Sequence, residues 1–261
     1  MSKQSGLGDH LYIDGVDLSG DVGSIGSMHG GPTGTQDVTG INKFAYERLG
    51  LLLDGELDHS GFFNPAAGAA HPTLKTLPYT DRILSYFHGG ALGNEACGIV
   101  AKQLNYDWTR GADGSLTTTT NAQANGYGIE WGQQLTPGQR TDTTATNGTG
   151  VDLTYGVGTF PPIFPATAGA SVSFGWSAYV HVFAFTGTSI VFTVQDSADN
   201  STFTALTGGA FPSVTTGPGA MRIAGANIAT VRRYARVATT GTFTSCTFAL
   251  VFVPYLVGGH P

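Results

Sequence analysis

The chain has 261 residues, enough for one large domain or two ordinary ones. Charged residues make up only 11%, against a usual share of about 25%, while hydrophobic residues reach 41% and glycine fills 39 positions. With a net charge of −6 this composition argues against helical bundles and nucleic-acid binders, and for short strands joined by tight turns.

Met1 to His10 carries no apolar stretch, so no secretory signal is expected, and the run Phe248 to Val253 is too short to span a bilayer. The expectation is a soluble protein made in a cytoplasm, with no membrane partner. Cys97 and Cys246 lie far apart in apolar runs and read as buried reduced thiols.

Charge divides the sequence. Through Gly150 there are 15 acidic and 8 basic residues, and from Val151 onward 3 acidic and 4 basic. The polar stretch Gln134 to Gly150 reads as a linker or exposed loop. It suggests one domain over 1–147 and a second over 148–261.

In the first half, Leu11 to Ile13 forms a short strand before the Asp14-Gly15 turn, and a glycine-rich run to Thr35 reads as flexible. Asp37 to Thr39 starts a strand. Asp54-Gly55 between two apolar-containing runs predicts a hairpin or bulge, followed by an alternating strand that delivers Phe62 and Phe63 to the core. Asn64 as cap and Pro65 in the first turn predict one helix to about Thr76. Strands follow at Ile83 to Phe87, Ile99 to Tyr106 and Leu116 to Ala124, with Ile129 to Gly132 closing the domain.

In the second half, Val172, Phe174 and Trp176 alternate with Ser173, Gly175 and Ser177. Tyr179 to Phe185 is a buried strand and Ile190 to Gln195 alternates. Asp196 to Ser201 is a hairpin turn, and strands at Thr230 to Val237 and Phe243 to Val253 complete the set. The fold class is mainly β: an N-terminal sandwich or barrel with one short helix, then a C-terminal sandwich of jelly-roll or immunoglobulin-like type.

Chemistry-bearing patterns are sparse. Asp196, Asp199 and Asn200 lack the glycine and distal Glu of a calcium loop and read as turn formers. The histidines, from His10 to His260, show no metal-ligand spacing, and His181 in an apolar strand reads as a satisfied core or interface group. No GxSxG, Walker loop or GxGxxG occurs, so neither an enzyme nor a cofactor site is expected. Trp176 and Tyr179 could stack on sugar rings at an outer surface, but core or interface packing is the favoured reading of both. Arg232, Arg233 and Arg236 are too few for a nucleic-acid site. Glu56 and Asp58, two residues apart, share one face of a strand.

The stretch Asp37-Val38-Thr39 followed by Arg48-Leu49-Gly50-Leu51-Leu52-Leu53-Asp54-Gly55-Glu56-Leu57-Asp58 to Phe63 resembles siphophage tail tube proteins. Those carry a D-x-T strand, a G-L-x-D-G-x turn and an alternating strand ending near a helix. Asp14 to Gly20 is similar to the opening of such proteins, and the likeness extends over about residues 10 to 135. The stretch from Phe185 to Val253 looks like sandwich modules appended to phage virion proteins. The resemblance implies a virion protein that forms stacked six-membered rings, contacts other tail proteins and passes DNA without binding it specifically. It implies an acidic lumen, for which Glu56, Asp58 and Glu130 are the candidates, and loops at Gly20 to Thr35 and Leu135 to Gly150 that order on assembly. The alternatives are a capsid decoration or head–tail connector protein, and a carbohydrate-binding module for host attachment.

Overall fold

The computed structural model describes residues 5–153, 171–172 and 174–255; Ser173 and His260 lie outside them. Strands dominate, and the one helix described is short. The chain divides into two compact units. One comprises Met1–Ser19, Ser85–Gly98 and Trp131–Pro261; the other comprises Gly20–Leu84 and Ile99–Glu130. Both draw on discontinuous stretches, and position 148 falls inside the larger unit.

The larger unit is built on two long antiparallel strands, Trp176–Ser197 and Tyr234–Pro254, paired from Trp176↔Pro254 to Ser197↔Tyr234. The sequence suggests separate strands here, but β-bulges carry the chain through Thr186 to Ser189 without ending the ladder. Glycine makes this possible. A Cβ on Gly187 would lie 2.4 Å from the Phe243 Cα, and Gly241 has a φ of 123°.

Alternate positions of the two strands face an apolar cluster that includes Trp176, Val180, Phe192, Val194, Val237, Phe248, Leu250 and Phe252. Gln134 to Gly150 is not a free linker. The Gln134 side chain donates to the carbonyls of His88 and Gly89 (3.1 and 3.0 Å), and Arg140–Asp142 pairs with Cys246 to Phe248. Cys97 and Cys246 form no disulfide and are buried, which pushes the pKa of each thiol up to about 12. His181 is a satisfied core histidine. Its Nδ1 accepts the Gly15 N–H (3.2 Å), so Nε2 carries the proton toward Ser85 Oγ (2.9 Å).

The smaller unit is a sheet in which Leu53–Phe62 is flanked by Val22–Pro32 on one side and Leu116–Ala124 on the other. Asp107–Arg110 and the end of Glu95–Gln103 both pair with Leu116–Ala124. The run expected to be flexible from Gly20 is therefore largely a strand, because Leu53–Phe62 offers it a continuous ladder with two bulges. Asp54-Gly55 does not turn. The strand passes straight through it, and a Cβ on Gly55 would lie 2.8 Å from the Ile129 nitrogen, so glycine serves close approach there.

Chain reversal comes earlier. Thr35–Asp37 pairs with Arg48–Gly50, prolonging the Val22–Pro32/Leu53–Phe62 ladder into a projecting hairpin.

The helix is Ala70–Leu74, far shorter than expected. Asn64 does not cap it. Its Oδ1 accepts the Ala66 N–H in a local turn, and Gly68 follows at a φ of 73°. Asp21 supplies the acceptor for the Ala70 N–H (2.8 Å) instead. Gln103 Nε2 and Arg82 Nη2 donate to the helix carbonyls of Leu74 and Thr73 (2.8 and 2.6 Å). Phe62, expected in the core, is exposed.

The core of this unit is small and partly polar: Leu57, Leu74, Leu84, Ile99 and Ala101 lie buried, as do His59, Gln103, Thr118 and Thr120. Neither His59 ring nitrogen has a protein partner, and the Oγ1 of Thr120, directly across the ladder, has none either. Burial holds His59 down to about 4.

Two outcomes follow from these cores. In the larger unit, the Tyr179 ring occupies the place a Gly98 Cβ would take, 2.4 Å from its Cδ2. Gly98→Ala is expected to cost about 1–3 kcal/mol by overpacking, read from urea unfolding; an unchanged midpoint would show that the ring moves freely. In the smaller unit, the neutral His59 contributes stability above its unfolded pKa of about 6.5 that is lost as pH falls toward 4, roughly 3 kcal/mol at most. Thermal scans of His59→Leu should show a shallower loss between those pH values. The same acid slope as wild type would refute the assignment.

Candidate functional site

Alternation along Leu53–Phe62 divides the smaller unit into two chemistries. Gly55, Leu57, His59 and Gly61 are buried, whereas Asp54, Glu56, Asp58 and Ser60 remain partly open to water. Register places Gln123, Asn121 and Thr119 beside Glu56, Asp58 and Ser60 on one flank, and His29, Ser27 and Ser24 on the other. Asp107 stands opposite Thr119, and Lys102 opposite Gln123. The result is a broad polar face of hydroxyls, amides and carboxylates.

Its centre is the pair read from the sequence. Asn121 Nδ2 donates to both Glu56 Oε1 and Asp58 Oδ1, tying the two carboxylates together. His29 Nε2 lies 3.5 Å from Glu56, and the Ser24 and Ser60 hydroxyls bond at 2.8 Å. Desolvation first, then the charge of Glu56, raises Asp58 above the usual carboxylate range. A shallow depression of about 240 Å³ lies here, lined by Gly26, Asp58, Ser60, Asn105, Thr119 and Asn121 among others. The two bases of this face, His29 and Lys102, stand against carboxylates, Lys102 at 2.7 Å from Asp81. The face is therefore net negative.

The other candidates fall elsewhere. Glu130 is buried at 5% exposure, whereas Glu56 and Asp58 are partly open to water. Trp176 and Tyr179 are completely buried, on opposite faces of one strand, Trp176 in the apolar cluster and Tyr179 against Gly98, so neither ring is open to stack on a sugar. The half-exposed Trp108 went unnoticed in the sequence, although its place in a charged, turn-flanked segment was a signal. It packs with Phe63 (4.9 Å between centroids) and His71 (5.2 Å), and His71 in turn with Tyr106 (5.8 Å).

In the larger unit the acidic turn is self-satisfied. Asp199 Oδ1 accepts from the Ser201 and Thr202 backbones (2.9 Å each) and from Ser197 Oγ (2.8 Å), which lowers its carboxyl to about 2. Asp196 pairs with Arg232 (2.5 Å) and Asp152 with Arg233 (2.6 Å), while Arg236 bonds Gln195 (2.7 Å). The basic cluster is thereby engaged inside its own unit. No group of three or more His, Cys, Asp or Glu side chains able to hold a metal occurs among the described residues.

The hairpin beyond Pro32 is the second feature. Its apolar side chains Ile41 and Phe44 are fully exposed, and Tyr46, Leu49 and Leu52 are largely so. Asp37 accepts the Thr39 N–H (2.9 Å) and Lys43 pairs with Glu47 (2.8 Å), so its tip is internally bonded while its apolar groups stay uncovered.

Because Asp58 is raised, its charged form opposes folding: that cost is absent at low pH and appears as pH rises through the carboxylate range. Asp58→Asn is expected to raise the melting temperature at pH 7 by on the order of 1–3 °C, with the gain vanishing below about pH 4. A gain of equal size at both pH values would rule out the ionisation as its cause.

The sequence matches no protein-family model and no curated protein. Solved structures resemble the fold. A chain in the virion of a native gene transfer agent particle matches at 12% identity and a TM-score of 0.42, over 49% of this chain and 98% of its own. The SPP1 Dit (gp 19.1) protein, described as a paradigm of the hub adsorption apparatus in phages infecting Gram-positive bacteria, matches at 11% identity and a TM-score of 0.32, over 94% of this chain and 99% of its own. A chain of the phage p2 baseplate in its activated conformation matches at 9% identity and a TM-score of 0.29, over 93% and 97%. These likenesses are remote.

Proposed function

We propose that this chain is a non-enzymatic structural protein of a phage tail, whose copies assemble as stacked rings, six to a ring, around a channel for DNA. The observation that carries the reading is the projecting hairpin of residues 33–52. A two-stranded hairpin is marginal in water by itself, and exposed apolar side chains on an extended arm favour coverage by another molecule. An arm on one side of a subunit makes a head-to-tail contact, and such contacts generate rings or open stacks.

The acidic face supplies the rest of the argument. Glu56, Asp58 and Asp107 stand on a surface of neutral hydroxyls and amides. Phosphates near it are repelled, and few fixed cations are available to displace their counterions, so DNA slides past. The resemblance of residues 37–63 to tail tube proteins points the same way. In this reading Glu56 and Asp58 line the lumen. The sheet edge at Val22–Pro32 is covered by a neighbouring copy, which removes the hazard of an unpaired strand edge there.

Negative-stain electron microscopy of the concentrated protein at neutral pH tests this. Rings or hollow tubes of constant width are expected from the wild type. The double variant Ile41→Ser/Phe44→Ser should remain unassembled with an unchanged melting temperature, since both side chains are already in water. Wild-type protein that stays as compact monomers or trimers, or variants that polymerise normally, would overturn the proposal.

A further inference from the structure

The smaller unit carries a second uncovered surface, at the opposite end of the strand that bears the arm. The arm leaves from the Leu53 end of Leu53–Phe62. At the other end, ten residues and about 30 Å away, stand Phe63, His71, Tyr106 and Trp108. Ring centroids in this group lie 4.7 to 6.1 Å apart, with Trp108 meeting Phe63, His71 and Tyr106 edge-on. Such spacing leaves no gap for a ligand between the rings, and Trp108, half-exposed, is the most open of the four.

Trp108 stands on Asp107–Arg110, which pairs with Leu116–Ala124 along one side and with no other strand among the described residues. All four residues of that strand are exposed. The end therefore offers a rigid aromatic knob beside an open strand edge, an apolar surface that the exposed apolar side chains of another molecule can cover.

We propose that the arm of one copy docks on the Trp108 edge of the next copy, with Ile41 and Phe44 against the Trp108 ring. The proposal rests on the assembly reading and names the receiving surface. The occupant follows from the geometry of one unit. Arm and knob lie at opposite ends of the same strand, and the arm extends away from the knob, so a single copy cannot bring them together. Displacement of a second copy along the strand by about its own length brings them into register. The contact is heterologous and repeats without closing, and the product is a stack. Arm residues 33–52 hold two acids, Asp37 and Glu47, against two bases, Lys43 and Arg48. Being neutral, the arm approaches an acidic neighbour without repulsion.

The two native cysteines are buried, so introduced thiols report alone. Ala45→Cys, on the arm, and Arg110→Cys, on the Trp108 edge, are prepared as separate proteins, mixed under assembly conditions and treated with a short bis-maleimide crosslinker. A crosslinked dimer is expected in the mixture and in neither protein alone. Ala45→Cys mixed with Thr207→Cys, exposed in the other unit, should give none. Trp108→Ser should abolish assembly while leaving the fold intact by circular dichroism. Tubes that form without the 45–110 crosslink, or that form equally well with Trp108→Ser, would overturn the docking site and leave the assembly reading standing. Wild-type protein that never assembles, together with no crosslink in the mixture of Ala45→Cys and Arg110→Cys, would defeat both.

Discussion

The smaller unit depends on the two-residue period of Leu53–Phe62. Because successive side chains point to opposite sides of a sheet, one ten-residue segment places Leu57 and His59 in a core and Glu56 and Asp58 on a polar face. The ladders on both sides fix that assignment: a slip of one residue would bury both carboxylates and expose Leu57. The same two-stranded ladder, continued past Pro32 and Leu53, becomes the arm. Core, acidic face and arm are thus three consequences of one pairing register.

The two units are stabilised differently. The larger one closes over aromatic and β-branched side chains, with its buried histidine hydrogen-bonded at both nitrogens. The smaller one buries His59, Thr120 and Gln103 among few aliphatic groups and fastens its short helix with side-chain donors and acceptors from Asp21, Arg82 and Gln103. A core of that composition has little stability to spare. An assembly that covers the arm and the Trp108 edge would add apolar burial to the unit that has least of its own.

Much of the strand content was legible in the sequence. Leu116 to Ala124 has the bounds read from its extended run of Thr and small residues, and the turn expected at Asp196 to Ser201 begins two residues later, after Ser197. The paired carboxylates were found because a period of two is visible in one dimension. The errors share a physical origin. Asp54-Gly55 carries hairpin chemistry, yet Gly55 serves the approach of the backbone at Ile129, which is distant in sequence. Asn64 has capping chemistry, yet the acceptor for the helix N–H is Asp21, more than forty residues earlier. Trp176 and Tyr179, by contrast, are packing aromatics as favoured, completely buried on opposite faces of one strand.

What the sequence determined by itself is local: the β character that follows from few charges and many Gly and Thr residues, the periodicity that puts Glu56 and Asp58 on one face, and the absence of any nucleophile or cofactor motif. These depend on neighbours along the chain, whose geometry the backbone fixes. What only the tertiary structure decided is which faces and edges stay open. Burial of Glu130, Trp176 and Tyr179, exposure of Ile41, Phe44 and Trp108, and the free edge at Asp107–Arg110 each depend on segments far away in sequence. Exposure is a property of what packs on a residue, and no local pattern encodes it.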